Sequence, residues 1–234
     1  QRHGYRLFPE TISLDAYKML FRIPQELLRA YGVTIFVTAV GTVLGLWLTS
    51  MAAYVLSSRD FRYRYQVSFF FYFTSIFGGG LVPWYIFNTK YLHFHNSVIA
   101  LILPILINVT YLLILKSYMT SIPEALYESA KLDGCGNLRF IVKILIPLTK
   151  SAIGAMAVYT FINAWNMYMW PLLVTGSNER RTVQIGISML DSVDSQSITL
   201  MIAGVVMIII PSISIFIIGQ KQLIRGMFSG AVKG

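Results

Sequence analysis

Charge is what this sequence has least of: only 12% of its 234 residues are Asp, Glu, Lys or Arg, about half the share carried by an ordinary soluble domain. That shortage excludes a charge-rich nucleic-acid-binding domain and a disordered chain, and leaves too few polar side chains to cover a water-soluble helical bundle. Cysteine is nearly absent. Cys135 stands alone, which rules out an intrachain disulfide framework, and with no histidine near it in sequence it reads as a small filler. Histidine is limited to His3, His93 and His95. No acidic residue lies between His95 and Lys116, so His93 and His95 read as a boundary pair at an outer surface and not as metal ligands. The run G-x-x-x-x-G-K-[ST] does not occur, so the chain lacks that means of cradling nucleotide phosphates.

What the sequence has in quantity is apolar surface, 56% of all residues with a mean hydropathy of +0.63. Its charges bracket five uncharged windows, residues 30–58, 65–89, 91–115, 151–178 and 195–220, of 29, 25, 25, 28 and 26 residues. A helix of about 20 apolar residues crosses a hydrocarbon core of about 30 Å, so every window is long enough. The pattern predicts an all-α, polytopic membrane helix bundle with five visible spans.

Basic residues set the sides. Arg59, Arg62 and Arg64, the five in Lys116–Lys150, and Lys221, Arg225 and Lys233 together make eleven, whereas the alternate loops hold only Lys90, Arg180 and Arg181. Positively charged loops stay cytoplasmic. Residues 1–29 are therefore expected outside as an amphipathic segment, with Ser13, Leu14, Tyr17, Leu20 and Phe21 against the membrane surface. Residues 30–220 then form the spans, with a cytoplasmic loop at 117–150, and residues 221–234 form a cytoplasmic tail. The basic residues of 1–29 sit on the unfavoured side without an exporting span, which predicts a further span upstream.

Local texture adds detail. Gly41 and Gly45 form a small-xxx-small pair suited to close helix approach. Gly78, Gly79 and Gly80 ahead of Pro83 predict a break in the second window, while Pro104 and Pro211 predict kinks. Between Lys116 and Lys150 the pattern leaves the membrane. Ser121 and Glu124 have capping-box spacing around Pro123, and a helix is expected to run to about Leu132 and stop at Gly134. Asn137 is placed to cap a second helix with Leu138, Ile141, Val142 and Leu145 on one face, and Glu128 and Lys131 can pair at i, i+3. This helix–turn–helix is too small for its own core. It is either a knob that docks into another protein or a connector lying on headgroups.

Its residues resemble a known pattern. Glu128-Ser129-Ala130, three residues, Gly134, nine residues, Ile144, one residue and Ile146-Pro147 resemble the EAA motif of ABC importer permeases, with Ser129 and Ile146 as departures from the usual Ala and Leu. Trp165-Asn166 with Pro171-Leu172, and the ending Gly230-Ala231-Val232-Lys233-Gly234, are similar to segments of the carbohydrate-uptake, maltose-transporter-like members. The resemblance implies the transmembrane domain of a type I ABC importer, a non-catalytic subunit in the bacterial inner membrane. It implies a second permease, two cytosolic ATPase subunits that hold ATP and Mg, and an extracytoplasmic solute-binding protein as partners. Glu128, Ser129, Ala130, Gly134, Ile144 and Pro147 would couple to the ATPases, Ala130 by close approach to their surface, and the tail from Gly230 to Gly234 would run down to them.

No charged side chain lies inside a window, which argues against an ion-coupled secondary carrier, the rival class, since such carriers need intramembrane ionisable groups. An assembly or signalling subunit without transport is a third option. Asn163, Trp165, Asn166 and Tyr168, and more weakly Asn108 and Tyr111, are candidates for a solute path, with amides for hydroxyl groups and rings for sugar faces. The plainer and preferred alternative is an aromatic belt with interhelical hydrogen bonds. For substrate, Gly78 to Trp84 and the run from Glu128 to Lys131 look like oligosaccharide permeases, and Arg181 to Leu190 looks like the glycerol-3-phosphate type. Oligosaccharide is the preferred expectation.

Overall fold

A computed structural model of the chain describes residues 13–21, 24–189 and 198–231. Among the described residues every regular element is helical. A short helix α1 (Asp15–Leu20) precedes the 34-residue α2 (Pro24–Ser57). Leu20 of α1 is buried, while Leu14 and Phe21 are exposed. The second window forms α3 (Arg64–Ile76) and α4 (Leu81–Ile86), and the third forms α5 (Val98–Ile102) and α6 (Val109–Thr120). The cytoplasmic-type loop forms α7 (Glu124–Leu132), α8 (Asn137–Phe140) and α9 (Ile146–Leu148). After it come α10 (Lys150–Trp165), α11 (Met169–Val174), α12 (Val183–Ser188) and α13 (Ile198–Ala231).

Two unbroken helices, Gln25–Ser57 and Thr199–Ile224, are long and apolar enough to cross a membrane. Three bent pairs reach that length when each is taken as one span. Arg64–Ile76 with Leu81–Tyr91 bends by 111°, Val98–Ile105 with Val109–Thr120 by 44°, and Asn137–Leu148 with Lys150–Trp165 by 85°. The 111° bend falls on the glycine triplet, where Gly80 takes φ +83°. The 44° bend follows Pro104, and the 85° bend falls at Thr149 just after Pro147. Pro211, by contrast, is carried inside the uninterrupted α13.

The packing of α2 explains its sequence. Thr34, Thr38, Gly41, Thr42, Gly45, Thr49 and Ala53 are buried, at helical spacing along one face. Ile35, Phe36, Val43, Leu44, Trp47 and Val55 are exposed on the other. Lipid tails are as apolar as leucine, so helix contacts in a membrane favour small residues that let backbones close in, while bulky ones face lipid. A Cβ added at Gly45 would lie 2.8 Å from the Ile105 carbonyl oxygen, and one at Gly41 2.9 Å from Ile105 Cδ1. The Gly41–Gly45 pair thus receives the turn that follows Pro104. Helices α10 and α13 meet through Gly219 against Val158 and Gly154 against Gln222. Trp165 Nε1 also donates to the Ile208 carbonyl at 3.0 Å.

The largest cluster of buried side chains sits at one end of the bundle. There Ala53 and Leu56 of α2 and Leu112, Leu115 and Met119 of α6 meet Ala130, Phe140, Ile141 and Leu145 from the loop.

Candidate coupling site and solute-path residues

The loop between α6 and α10 is built onto that cluster. Serine 121 does not cap α7: its Oγ donates back to the Tyr118 carbonyl at 2.8 Å, and Pro123 occupies the N-cap position without a side-chain bond. The expected capping box is therefore absent, because Glu124 is engaged elsewhere. Its Oε2 lies 2.6 Å from Arg59 Nη1. At the other end α7 closes as the sequence predicts. Gly134 takes φ +73°, its N–H donates to the Lys131 carbonyl at 3.0 Å, and the Cys135 N–H donates to the Ala130 carbonyl at 2.9 Å. These two bonds are the Schellman pattern that satisfies the last carbonyls of a helix.

Lys131 does not pair with Glu128. Its Nζ lies 3.7 Å from Asp60 Oδ2 and 4.7 Å from the centre of the Tyr127 ring. The hydrogen bond with Tyr127, and after it the Asp60 carboxylate, push Lys131 above the usual lysine range. Ala130 is 5% exposed and packs into the chain's own cluster, so its small side chain lets α7 approach α2 and α6 and does not meet a partner surface. Tyr127, Tyr54 and Phe140 form a tilted aromatic triangle with centroids 5.3 to 6.5 Å apart. Above this anchored face Glu128 and Ser129 are exposed, and Leu132 is 89% exposed. Leu132 is a residue that the motif-based reading passed over. Its signal was an apolar side chain in the last position of α7, beside Lys131 and just ahead of the glycine stop.

The following segment also differs from expectation. Asn137 begins α8 but makes no capping bond, and the buried face is Phe140, Ile141 and Leu145, while Leu138 and Val142 are exposed. Ile141 and Leu145 keep their predicted burial, and a π-helical turn spans Ile141–Leu145. Ile144 is half-buried and Pro147 exposed. Gly230 and Ala231 continue α13, whereas Val232, Lys233 and Gly234 lie outside the described residues.

The solute-path candidates divide. Trp165 is 2% exposed and bonded to α13. Asn108 serves as N-cap of α6, its Oδ1 accepting from Tyr111 N–H at 3.2 Å. Asn163 Nδ2 donates to Tyr111 Oη at 3.3 Å, and Asn166 Oδ1 accepts from Ser212 Oγ at 3.4 Å. Tyr168 Oη donates to Ser188 Oγ at 3.4 Å. Asn108, Asn163, Asn166 and Tyr168 are exposed on the chain, and Trp165 is buried. Among the described residues no group of three or more His, Cys, Asp or Glu side chains converges on a common point.

Comparison with known proteins agrees with this architecture. Residues 30–227 match the family described as "Binding-protein-dependent transport system inner membrane component". The chain is 34% identical over 243 residues to the polygalacturonan/rhamnogalacturonan transport system permease protein YtcP of Bacillus subtilis (strain 168), covering 97% of this chain and 84% of that protein. It is 31% identical over 240 residues to the arabinooligosaccharides transport system permease protein AraQ of Halalkalibacterium halodurans, covering 100% and 85%. The sn-glycerol-3-phosphate permease UgpE of Yersinia enterocolitica aligns over 56% of this chain and 48% of its own, at 31% identity. A solved bacterial ABC transporter involved in the import of the acidic polysaccharide alginate has a chain that superimposes with a TM-score of 0.84. That match has 26% identity and covers 94% of this chain and 83% of the other. The chain therefore belongs to the binding-protein-dependent family of ABC importer membrane components, as a helical permease that works with other components of such a transporter.

Proposed function

We propose that this chain couples ATP-driven closure of partner ATPases to the alternating access of an oligosaccharide importer in the bacterial cytoplasmic membrane. It assembles with a second, related permease, two cytosolic ATPase subunits and an extracytoplasmic solute-binding protein. ATP and Mg reside on the ATPases, and this chain carries out no chemical step. The observation that carries the reading is the two-sided character of α7. One side is held to α2 by an aromatic triangle and buried Ala130, and to the turn after α2 by ion pairs with Arg59 and Asp60. The other presents Glu128, Ser129 and Leu132 outward.

Leu132 and Glu128 enter a cleft of the ATPase, Gly134 fixes the turn behind them, and Ile144 and Pro147 seat the following segment. The tail from Gly230 to Gly234 adds a second contact. Near-complete alignment with permeases named for plant-polysaccharide fragments, against partial alignment with the glycerol-3-phosphate type, supports an oligosaccharide substrate. Asn163, Asn166 and Tyr168 supply the exposed amide and ring groups on its route.

In vesicles holding the reconstituted transporter, Glu128→Ala with Leu132→Ala should release the ATPase subunits and abolish solute-stimulated hydrolysis, leaving membrane insertion unchanged. Full ATPase retention in that variant would refute the coupling role. Identifying the solute carried by the co-purified binding protein tests the substrate class, and a polyol phosphate there would overturn it.

A further inference from the structure

Helix α2 is gripped at both ends, and each grip involves an element with a different task. At its inner end the chain leaves the helix at Ser57 and immediately presents two opposite charges. Arg59 holds Glu124 at 2.6 Å, and Asp60 holds Lys131 at 3.7 Å. Glu124 and Lys131 are seven residues apart on α7, which is about two turns, so they lie on one face about 10 Å apart. One ion pair would let α7 swivel. Two, of opposite sense, fix both its axis and its direction, because a reversed helix would set like charges against each other.

The outer end is held just as specifically. Arg29 Nη1 lies 3.4 Å from Glu179 Oε1. The buried hydroxyl of Thr34 accepts from the Val183 N–H at 2.9 Å while donating to the Ala30 carbonyl. Ala30 packs with Val183 and Ile187. Between these grips α2 runs without interruption, unlike the spans bent by 111°, 44° and 85°. An unbroken helix transmits displacement as a rigid body, whereas a bent one absorbs it at the break.

We infer that Arg59 and Asp60 are positioning residues that fix the coupling helix to α2, and that α2 is the strut carrying its movement to the outer segment from Asn178 to Ser188. The inference rests on the coupling reading of α7 and adds the route by which its motion reaches the far side. Inward, the ATPase stroke turns α7, the two ion pairs turn α2, and α2 displaces the Glu179–Val183 stretch. Outward, an event at that stretch pulls on the same rod.

The test uses the complete transporter in vesicles. Arg59→Glu and Glu124→Arg are measured singly and together, as are Asp60→Lys and Lys131→Asp. Each single reversal should lower solute uptake per ATP hydrolysed severalfold while the ATPase subunits stay bound, and each double exchange should restore it. In a Cys135→Ser background, the labelling rate of Asn178→Cys from outside should change on adding ATP, lose that response with Arg59→Glu alone, and regain it in the double exchange. An unchanged uptake-to-hydrolysis ratio, or a persistent nucleotide response at Asn178→Cys, would overturn the strut. Loss of the ATPase subunits in step with lost uptake would also overturn it by placing the effect in the ATPase seat, while the coupling role of α7 would stand.

Discussion

Gly134 shows how far one residue's conformation can be separated from its packing. A Cβ built there meets nothing within 4 Å, so any cost of substitution comes from its φ of +73° alone. A left-handed conformation costs an ordinary residue about 1–2 kcal/mol, and asparagine tolerates it best. Gly134→Asn should therefore keep nearly all solute-stimulated ATPase activity, Gly134→Ala should lose part and Gly134→Val most, in that order; an order following side-chain volume regardless of Asn would disprove the backbone origin. Lys131 offers a pH argument at the same scale. Its pKa is raised, first by Tyr127 and then by Asp60, so its grip is complete below the ordinary lysine range and fades only as pH rises through the raised value. Uptake per ATP should consequently be flat through neutral pH as far as this group is concerned, and Lys131→Arg should leave the profile unchanged. The glycine stop was readable in the sequence because only a few residue types suit such a turn. The partners of Ser121, Glu124 and Lys131 were not: Ser121 turns back to the Tyr118 carbonyl, and Glu124 and Lys131 pair with Arg59 and Asp60 of the turn after α2.

Among elements, the uncharged windows located the apolar stretches well, and the glycine triplet and Pro104 marked two of the three bends. The third, at Thr149, lies two residues after Pro147, which reads in the sequence as a motif residue and not as a kink. Of the predicted face Leu138, Ile141, Val142 and Leu145, Ile141 and Leu145 are buried, whereas Leu138 and Val142 are exposed and Phe140 is buried beside them. Helix contacts depend on the small residues. At Gly45 a Cβ would lie 2.8 Å from a backbone oxygen, which cannot rotate aside. Gly45→Val should cost about 1–3 kcal/mol and lower the thermal stability of the detergent-purified permease. Val43→Ala, on the exposed face of the same helix, should leave it unchanged. Equal effects at both positions would mean that α2 does not use its small-residue face for packing.

For the whole molecule, the distribution of basic residues and the ion pairs describe the same two ends. Arg59 and Asp60 meet α7 at one end of α2, and Arg29 meets Glu179 at the other. Cysteines placed at Ser58 and Asn137 should be labelled only from the cytoplasmic side and one at Ser177 only from outside; labelling of Asn137 and Ser177 from a common side would dismantle the five-span arrangement. Solute-path contacts were the least legible feature. Amides and rings near a membrane boundary serve equally as caps, belts and ligands, and here Asn108 proved to be a cap and Trp165 a buried donor. Replacing Asn166 and Tyr168 with Ala should reduce uptake modestly while assembly survives, and unchanged uptake would remove both from the route. The length of α2 carries one more consequence. Its 34 residues extend about 51 Å, well beyond a hydrocarbon core of about 30 Å, so its charged grips stand in the aqueous layers on either side. Exposed ion pairs are screened over about 10 Å in 0.1 M salt. Ionic strength thus acts as a slackening agent on both ends of the rod at once: concentrated salt should let the transporter hydrolyse ATP with less solute delivered, while its lipid-embedded packing stays intact.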